Sequence, residues 1–318
     1  MLPNSCSMLF KDLFKKANIK YPGVGEAEFL KYHTTILKDR IQAQPRNRFI
    51  LDNSKRPNAS GLFEYVLWDS EIFDMNIGRL DYFIGSSGCK ASFRENVIKD
   101  IFYLSKKNKL KFMLARINSG DFQSAQILEK YGFILTDILV SLSVILKKQD
   151  IIKLPAGIRG YEVSDLKAVL NIAKNSFVFN RFFNDSRLNS ANVKYVYEKW
   201  VKDVCLNNKS DVLVYEDNSG LLGFVICKLD KLSKNIFGYS IGQIDLVAVR
   251  PGLKGKGIGR KLVQAGLYKF SKDAVAIVEI RAQHANILAV NSFLKSGFKE
   301  YNSGLTLPAG MVFHKWFD

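Results

Sequence analysis

The order of apolar and polar residues divides the chain into alternating strands and helices. Strands are predicted where apolar residues alternate or form short runs, at 111–117, 241–249 and 276–282. Amphipathic helices are predicted where apolar residues recur every three or four positions, at 97–108, 162–177, 191–205 and 259–272. Residues 211–229 predict a β-hairpin that turns at Asn-Ser-Gly. This alternation favours an α/β (α+β) fold.

The chain contains an internal repeat. Residues 110–133 align without gaps on residues 275–298, and Arg116 falls on Arg281. Both segments predict a strand, a short turn and a helix that ends at glycine. The alignment indicates a duplicated domain. Charged residues, Pro and Gly gather at 147–160, so we predict two domains, 1–150 and 151–318.

Composition excludes several classes of protein. The 318 residues are 47% hydrophobic and 24% charged, which allows a large core, and no apolar run approaches the roughly 18 residues of a membrane-spanning helix. The N-terminus lacks the pattern of a secretory signal, so we expect a cytoplasmic protein. The four cysteines form no CxxC pair, and we therefore expect neither a disulfide framework nor a metal site.

The net charge of +17 favours anionic partners. No recognisable nucleic-acid-binding module accompanies it, and a lysine-rich solvated surface explains the charge equally well. We therefore expect a small-molecule partner, no nucleic acid and no membrane insertion, and we leave homodimer formation open.

A glycine-rich turn follows the strand at 241–249. Three glycines, Gly252, Gly255 and Gly257, stand between this strand and the helix at 259–272, and a fourth, Gly259, begins the helix. Glycines let the backbone approach a ligand closely, and helix N-terminal amides bind phosphate. Nearby Lys254, Lys256 and Arg260 would add positive charge. The turn lacks both the GxGxxG order of a dinucleotide-binding fold and the Gly-Lys-Ser/Thr of a P-loop.

Two motifs in this half resemble those of the GNAT superfamily of acetyl-CoA-dependent N-acetyltransferases. The sequence KGKGIG is similar to the signature Arg/Gln-x-x-Gly-x-Gly/Ala, with Lys254 in place of Arg or Gln. Asn286, Ala289, Phe293 and Gly297 follow the second signature, Asn-x-x-Ala-x-x-x-Tyr-x-x-x-Gly-Phe. The resemblance implies two GNAT-like domains, each a mixed, mainly antiparallel sheet flanked by helices. The N-terminal domain would be degenerate and the C-terminal domain catalytic.

The resemblance also implies a binding site for acetyl-CoA. The strand that ends at Val249 and the strand that starts near Ala276 would splay apart to admit the pantetheine. The amide of Val247 would polarise the thioester carbonyl and stabilise the tetrahedral intermediate. The cofactor-binding residues would be Val247, Ala248, Val249, Lys254, Gly255, Lys256, Gly257, Ile258, Gly259, Arg260, Asn286 and Phe293.

Two further residues bear on the chemistry. Strand alternation predicts that Gln243, Asp245 and Val247 share one face, so Asp245 could accept the proton of the amine. Alternatively, Asp245 pairs with Arg281 and the proton goes to solvent. The family's general-acid Tyr is replaced by Phe293, which has no proton to donate. Four residues could substitute for it: Tyr268, Tyr301, His284 and His314.

A finer resemblance concerns the acceptor. Residues 177–201 and 67–81 are similar to segments of bacterial TDP-fucosamine acetyltransferases. This implies surface polysaccharide biosynthesis and a nucleotide-linked amino sugar as acceptor, with Arg181, Phe182 and Arg281 as contacts. Arg181 could instead pair with Asp185, and the aromatic residues could be core. Protein, peptide or small-amine acetylation, and an inactive GNAT-like binding module, remain as alternatives.

The N-terminal half has Asp121 and Leu128 at the positions of Asn286 and Phe293, and it lacks the glycine-rich turn. We therefore expect that it does not bind coenzyme A, and that it covers a sheet edge and helps to shape the acceptor pocket.

Overall fold

The computed structural model describes residues 24–43, 48–52, 59–86, 88–147, 152–177, 180–207, 210–300 and 310–317. The chain forms two compact units. Unit 1 comprises residues 1–139 and 305–318, and unit 2 comprises residues 140–304.

Unit 1 is a mixed sheet with helices on both faces. Its elements are α1 (Glu26–Ala43), β1 (Arg48–Asp52), β2 (Ala59–Tyr65), α2 (Leu67–Phe73), β3 (Ile77–Gly85), α3 (Ala91–Lys107), β4 (Phe112–Asn118), α4 (Phe122–Lys130), the first half of β5 (Ile134–Ile145) and β12 (Gly310–Trp316). The strand order is β1-β2-β3-β4-β12-β5. Among the described strands of unit 1, only the β3–β4 pair is parallel.

Two apolar layers hold unit 1 together. On one face of the sheet, Phe63 and Leu80 pack against Val97 and Ile101 of α3 in a large core. On the other face, Leu37 of α1 packs against β2 and β3 in a smaller cluster. Cover on both faces explains why almost every residue of β2 and β3 is buried.

Unit 2 has the same architecture. Its elements are the second half of β5, β6 (Ile158–Gly160), a 3₁₀ turn (Val163–Asp165), α5 (Leu166–Ser176), α6 (Ser190–Asn207), β7 (Asp211–Asp217), β8 (Gly220–Asp230), α7 (Lys231–Phe237), β9 (Ile241–Val249), α8 (Ile258–Lys272), β10 (Ile277–Gln283), α9 (Ile287–Lys295) and β11 (Lys299–Glu300). The strand order is β5-β10-β9-β8-β7-β6, and β11 pairs with β5. The β9–β10 pair is parallel.

Two cores also cover the sheet of unit 2. Leu262, Val263 and Phe270 of α8 pack on one face. Residues of α5 and α6, including Val169 and Val201, pack on the other. The structure therefore confirms the predicted architecture of a mixed, mainly antiparallel sheet flanked by helices.

The boundary between the units differs from the predicted boundary at residue 150. The division falls at Leu139, inside β5, and the C-terminal segment belongs to unit 1. The reason is strand pairing, because β12 lies antiparallel between β4 and β5. A domain of residues 151–318 would include β12, although this strand belongs to the sheet of unit 1.

The repeat extends well beyond the segments that align in the sequence. A constant shift in residue number places α1, α2 and β3 on α6, α7 and β9, so that Glu26 falls on Ser190 and Ile77 on Ile241. The strand β4 and the helix α4 fall on β10 and α9, which have identical lengths, after a shift that is larger by a single position. Unit 2 has one residue more between the end of β9 and the end of α8 than unit 1 has between the end of β3 and the end of α3, and this accounts for the larger shift. The duplication is therefore confirmed from α1 to α4.

Among the described residues, no helix is long and apolar enough to cross a membrane. Three cysteines, Cys89, Cys205 and Cys227, are buried free thiols. Cys6 lies outside the described residues.

Candidate active site

The loop between β9 and α8 presents open backbone. Gly255 and Gly257 have φ angles of 83° and 78°, a left-handed conformation that residues with side chains rarely adopt. A β-carbon built on either residue would have no atom within 4 Å. The course of the backbone therefore requires these glycines, and the space beside them is open to a ligand.

The helix α8 begins without a side-chain cap. Its N-cap residue is Gly257, whereas side-chain oxygens of Asp121, Asp230 and Asn286 cap α4, α7 and α9. The first amides of a helix have no acceptor within the helix. At α8 these N–H groups are available to an anion, which the helix dipole also favours.

Three cations surround this helix start. Lys254, Lys256 and Arg260 are exposed, and none of them forms an ion pair with any described residue. Lys254 Nζ donates to the backbone oxygen of Ser176, at the end of α5, at 3.5 Å. Amide donors and unpaired cations together fit a pyrophosphate group.

The two parallel strands part beside this loop. The ladder between β9 and β10 ends at Ile244 and Ile280, although β9 continues to Val249. The N–H of Arg250 donates to Leu222 on β8 at 2.8 Å. Backbone groups two residues apart face the same edge of a strand, so the N–H groups of Val247 and Val249 face away from β8. They lie on the side where β10 has diverged.

A β-bulge interrupts β9 at Asp245. Leu246 pairs with Ile226 and Ile244 pairs with Cys227, which leaves Asp245 without a partner on β8. Bulges shift the alternation of side chains between the two faces. The predicted common face of Gln243, Asp245 and Val247 is therefore wrong for Val247, which packs in the core under α8.

Asp245 lies in an unusual electrostatic setting. Burial raises its pKa, and the charges of Lys228 and Arg281 only partly offset this effect. Within the described part of the chain, no cation lies at ion-pair distance from Asp245. A carboxylate with a raised pKa and no contacting cation is suited to accept a proton.

The residues of the second motif serve the structure of α9. The side chain of Asn286 accepts a hydrogen bond from the N–H of Ala289 at 3.3 Å. Phe293 is 6% exposed in the core under α8, with its ring centre 6.4 Å from that of Phe298. The side chain at the position of the family's acid is therefore a core residue.

The four residues that could replace the missing general-acid Tyr lie in different environments. Tyr268 is half-buried on α8 with the Lys272 ammonium 5.4 Å from its ring centre, and His284 is exposed after β10. His314 is fully buried in β12 of unit 1, 4.7 Å from the ring of Phe112, so it is a core residue there. Tyr301 lies outside the described residues.

In the segment that follows α5, the side chain of Arg181 is partly exposed. Asn180 Oδ1 accepts hydrogen bonds from the N–H groups of Phe182 and Phe183, which fixes the turn. The guanidinium of Arg181 lies 4.2 Å from the centre of the buried Phe182 ring and forms no ion pair with any described residue. The expected alternative, pairing of Arg181 with Asp185, does not occur because Arg187 Nε binds that carboxylate at 3.0 Å.

Sequence reasoning missed two residues at the site. Ser176 Oγ donates to the backbone oxygen of Val249 at 2.9 Å and so ties α5 to the open end of β9. Lys228 lies opposite Gln243 and acts on Asp245 through its charge. The predicted hairpin at 211–229 contains Lys228 and could have indicated it as a neighbour of the following strand, but no sequence signal indicated Ser176.

Comparison with known proteins agrees with this geometry. Residues 168–298 match the sequence model of the Acetyltransferase (GNAT) family. The spore coat polysaccharide biosynthesis protein SpsD of Bacillus subtilis (strain 168) is 21% identical over 241 residues, which are 74% of this chain and 78% of SpsD.

Two solved structures share the fold over the whole chain. A GCN5-related N-acetyltransferase from Sphaerobacter thermophilus aligns with a TM-score of 0.63 at 12% identity, covering 99% of this chain and 94% of that one. A tandem GNAT protein from the clavulanic acid biosynthesis pathway aligns with a TM-score of 0.53 at 12% identity, covering 99% and 97%. The match of residues 168–298 to the Acetyltransferase (GNAT) family includes the open loop, and together with the shared fold it supports an acetyl-CoA-dependent N-acetyltransferase.

Proposed function

We propose that unit 2 transfers the acetyl group of acetyl-CoA to the amino group of a nucleotide-linked amino-deoxy sugar. The observation that carries the proposal is the uncapped, cationic start of α8 beside two parallel strands that part after Ile244 and Ile280. The start of α8 fits the diphosphate of acetyl-CoA, and the opening between the strands fits its extended pantetheine chain.

In this proposal acetyl-CoA supplies a reactive thioester, and unit 2 holds it at two places. The amides of residues 257–260, with Lys254, Lys256 and Arg260, bind the pyrophosphate. The backbone N–H groups of Val247 and Val249, which face away from β8, pair with the pantetheine as an added strand would. Around it, Ala248 lies in the opposite core, while Asn286 and Phe293 fix α9 beside the opening.

The chain's own groups would then perform the chemistry. Asp245 takes the proton of the acceptor amine, because burial has raised the pKa of its carboxyl group. The N–H of Val247 donates to the carbonyl oxygen that gains charge during attack. Loss of such a preorganised donor typically lowers the rate about 100- to 1000-fold. The buried Phe293 cannot protonate the departing thiolate.

The acceptor class rests on three supports. Arg181 is a planar donor that no described residue neutralises, which suits a diphosphate. Residues 177–201 resemble the corresponding segment of TDP-fucosamine acetyltransferases. The relative SpsD is named for polysaccharide biosynthesis. A 4-amino-4,6-dideoxyhexose on TDP or UDP agrees with all three.

The test is an acceptor panel read by mass spectrometry. Purified protein is incubated with acetyl-CoA and with TDP- and UDP-linked amino sugars, free amino sugars, small amines and peptides. We expect a mass gain of one acetyl group on a nucleotide-linked amino sugar. Acetylation of only the free amines or peptides would overturn the acceptor assignment and leave acetyl transfer intact.

One observation favours a second function, an inactive GNAT-like binding module. Phe293 is buried at the position where the family carries its acid. Such a module would bind acetyl-CoA without releasing thiol in the presence of any amine in the panel. Release of free coenzyme A that depends on an amine would exclude it.

A further inference from the structure

The end of α3 and the turn that follows it carry a concentration of lysines. Between Val97 and Phe112 the chain has five lysines and a single acid, Asp100. The exposed lysines are Lys99, Lys106, Lys107, Lys109 and Lys111. The last four, which we call the lysine turn (residues 106–111), form no ion pair with any described residue. This surface of unit 1 therefore presents positive charge without a neutralising partner.

Hydrogen bonds fix the backbone of the lysine turn. Asn76 Nδ2 donates to the backbone oxygens of Asn108 and Lys109, at 3.2 and 3.3 Å. The N–H of Lys111 donates to the backbone oxygen of Asn76 at 3.0 Å. Lys109 has a φ angle of 50°, the left-handed conformation. The lysines therefore extend from an ordered turn in a defined arrangement.

The repeat contains the same turn without the charge. The shift that places β4 on β10 aligns residues 106–111, KKNKLK, with residues 271–276, SKDAVA. Lys109 falls on Ala274, whose φ angle of 54° is nearly the same. In unit 2 the turn has one lysine, and its acid, Asp273, binds Lys269 at 2.5 Å. The backbone of this turn therefore does not require the lysines of unit 1.

Stabilisation of α3 explains only part of the cluster. Cations in the last turn of a helix interact favourably with its dipole, and Lys106 and Lys107 are placed there. This effect falls off within the last turn, whereas Lys109 and Lys111 lie beyond the end of α3. The last two lysines therefore indicate a role outside the helix.

An exposed aromatic ring adjoins the lysine turn. Tyr103 is 68% exposed, and helical spacing places it on the same face of α3 as Lys99 and Lys106. Its counterpart in unit 2, Tyr268, is half-buried. Tyrosine is enriched where proteins meet the membrane–water interface. Lysines and a tyrosine on one surface fit the headgroup region of a bilayer.

We propose that the lysine turn, together with Lys99 and Tyr103, binds the anionic surface of a membrane. Clusters of four or more cations are typical of segments that bind anionic lipids. Lysine is a compact point charge that suits a diffuse layer of headgroups, whereas Arg is the preferred donor to the phosphates of nucleic acids. Residues 97–111 contain no Arg. The attraction is electrostatic and requires no inserted helix.

Co-sedimentation with lipid vesicles tests the proposal. The wild-type protein should bind vesicles of phosphatidylcholine that contain phosphatidylglycerol, and should not bind vesicles of phosphatidylcholine alone. Each lysine near an anionic surface strengthens binding about fivefold. The triple variant Lys106→Gln, Lys109→Asn, Lys111→Gln should therefore bind about 30-fold more weakly or less. Asn is chosen at position 109 because it tolerates the left-handed φ. Added salt should weaken the binding of the wild type.

The matched control removes three exposed lysines from helices of unit 2, in the variant Lys167→Gln, Lys202→Gln, Lys234→Gln. It loses the same charge, yet its binding to the vesicles should match that of the wild type. Equal losses in the two variants would show that the total charge of +17 acts, and would overturn the proposal. Binding of the wild type to duplex RNA or DNA, without binding to vesicles, would overturn it in favour of a nucleic-acid partner.

A second measurement uses only the wild-type protein and covers the case in which the triple variant does not fold. The protein is treated with an amine-acylating reagent in the presence and absence of the anionic vesicles, and peptide mass spectrometry locates the modified lysines. We expect the vesicles to protect Lys106, Lys109 and Lys111, and to leave Lys202 and Lys234 unprotected. Equal modification of the lysine turn in both samples would overturn the proposal. Neither measurement depends on the proposed acetyl transfer, because both record binding to lipid.

Discussion

Two aspartates at equivalent positions of the repeat have opposite electrostatic settings. The pKa of Asp81 is lowered to about 2, because the neighbouring charges of Arg79 and Arg40 outweigh its burial. The pKa of Asp245 is raised, because Lys228 and Arg281 do not outweigh its burial. The same backbone position thus holds a carboxyl group with a lowered pKa in unit 1 and one with a raised pKa in unit 2.

The setting of Asp245 predicts a pH dependence of catalysis. Only the ionised carboxylate accepts a proton, so kcat/KM should rise as pH increases through its raised pKa and then level off. Replacing the base by Asn should lower kcat about 100- to 10,000-fold. Steady-state rates of thiol release between pH 4 and 9 measure this. A profile that is the same in wild type and Asp245→Asn would exclude the residue as base.

The setting of Asp81 predicts a pH dependence of stability. Because its folded pKa lies below the unfolded value, it stabilises the fold above pH 3.8, and this contribution is lost as pH falls towards 2. Asp81→Asn leaves Arg40 and Arg79 with one acidic partner fewer. We expect a loss of about 2 to 3 kcal/mol at pH 7 in urea denaturation, at the low end for buried pairs because Arg79 is 34% exposed.

The matched control is Asp245→Asn, for which the sign reverses. Its folded pKa is raised, so the ionised form weakens the fold at neutral pH, and the amide should leave stability equal or higher. Equal destabilisation by the two substitutions would show that the charge network of unit 1 is not the cause.

At the scale of secondary structure, the limits of sequence reasoning are visible in β9. Its bounds, 241–249, and the helix after it were predictable because apolar periodicity is a local property. The bulge at Asp245 was not, because it arises from a mismatch with β8 that the spacing of β9 alone does not contain. The glycine-rich turn was recognisable, since glycine adopts the left-handed φ of residues 255 and 257 far more readily than other residues.

Close packing of β9 against α8 predicts a sensitive glycine. A β-carbon on Gly242 would lie 2.5 Å from the Phe270 ring, closer than packed atoms can approach. Gly242→Ala should therefore destabilise the protein by about 1 to 3 kcal/mol, measured as a lower thermal midpoint. The control is Gly160→Ala on β6, where a β-carbon would meet no atom within 4 Å. Equal effects of the two substitutions would contradict this account.

At the scale of the whole chain, the repeat predicts one acetyl-CoA per polypeptide. In unit 1 the buried guanidinium of Arg94 lies beside Gly85, at the end of β3, and Arg94 Nε donates to Ser124 Oγ on α4. The shift that places β4 on β10 places Arg94 on Gly259, which has no side chain. Calorimetric titration should give a stoichiometry of one. Gly259→Arg should abolish binding, whereas Gly259→Ala should preserve it, because a β-carbon there meets only Val249 at 3.8 Å. Two sites, or binding by Gly259→Arg, would contradict the prediction.

The duplication itself was predictable from the aligned segments 110–133 and 275–298, because strand, turn and helix kept their order and spacing. The true extent of each unit was not. The strand β12 pairs with β4, and the whole of unit 2 lies between these two strands in the sequence. No local pattern indicates so distant a partner. The difference that Arg40 and Arg94 make between the two units also becomes clear only when the units are aligned residue by residue.

The position of β12 has a consequence for biosynthesis. This strand follows all other described strands in the sequence, yet it lies between β4 and β5 rather than at an edge of its sheet. Every residue of unit 2 has been synthesised before Gly310 is added. The sheet of unit 1 therefore stays incomplete until residues 310–316 have been synthesised. Folding of nascent chains generally proceeds from the N-terminus, and here the final step belongs to the part that was made first.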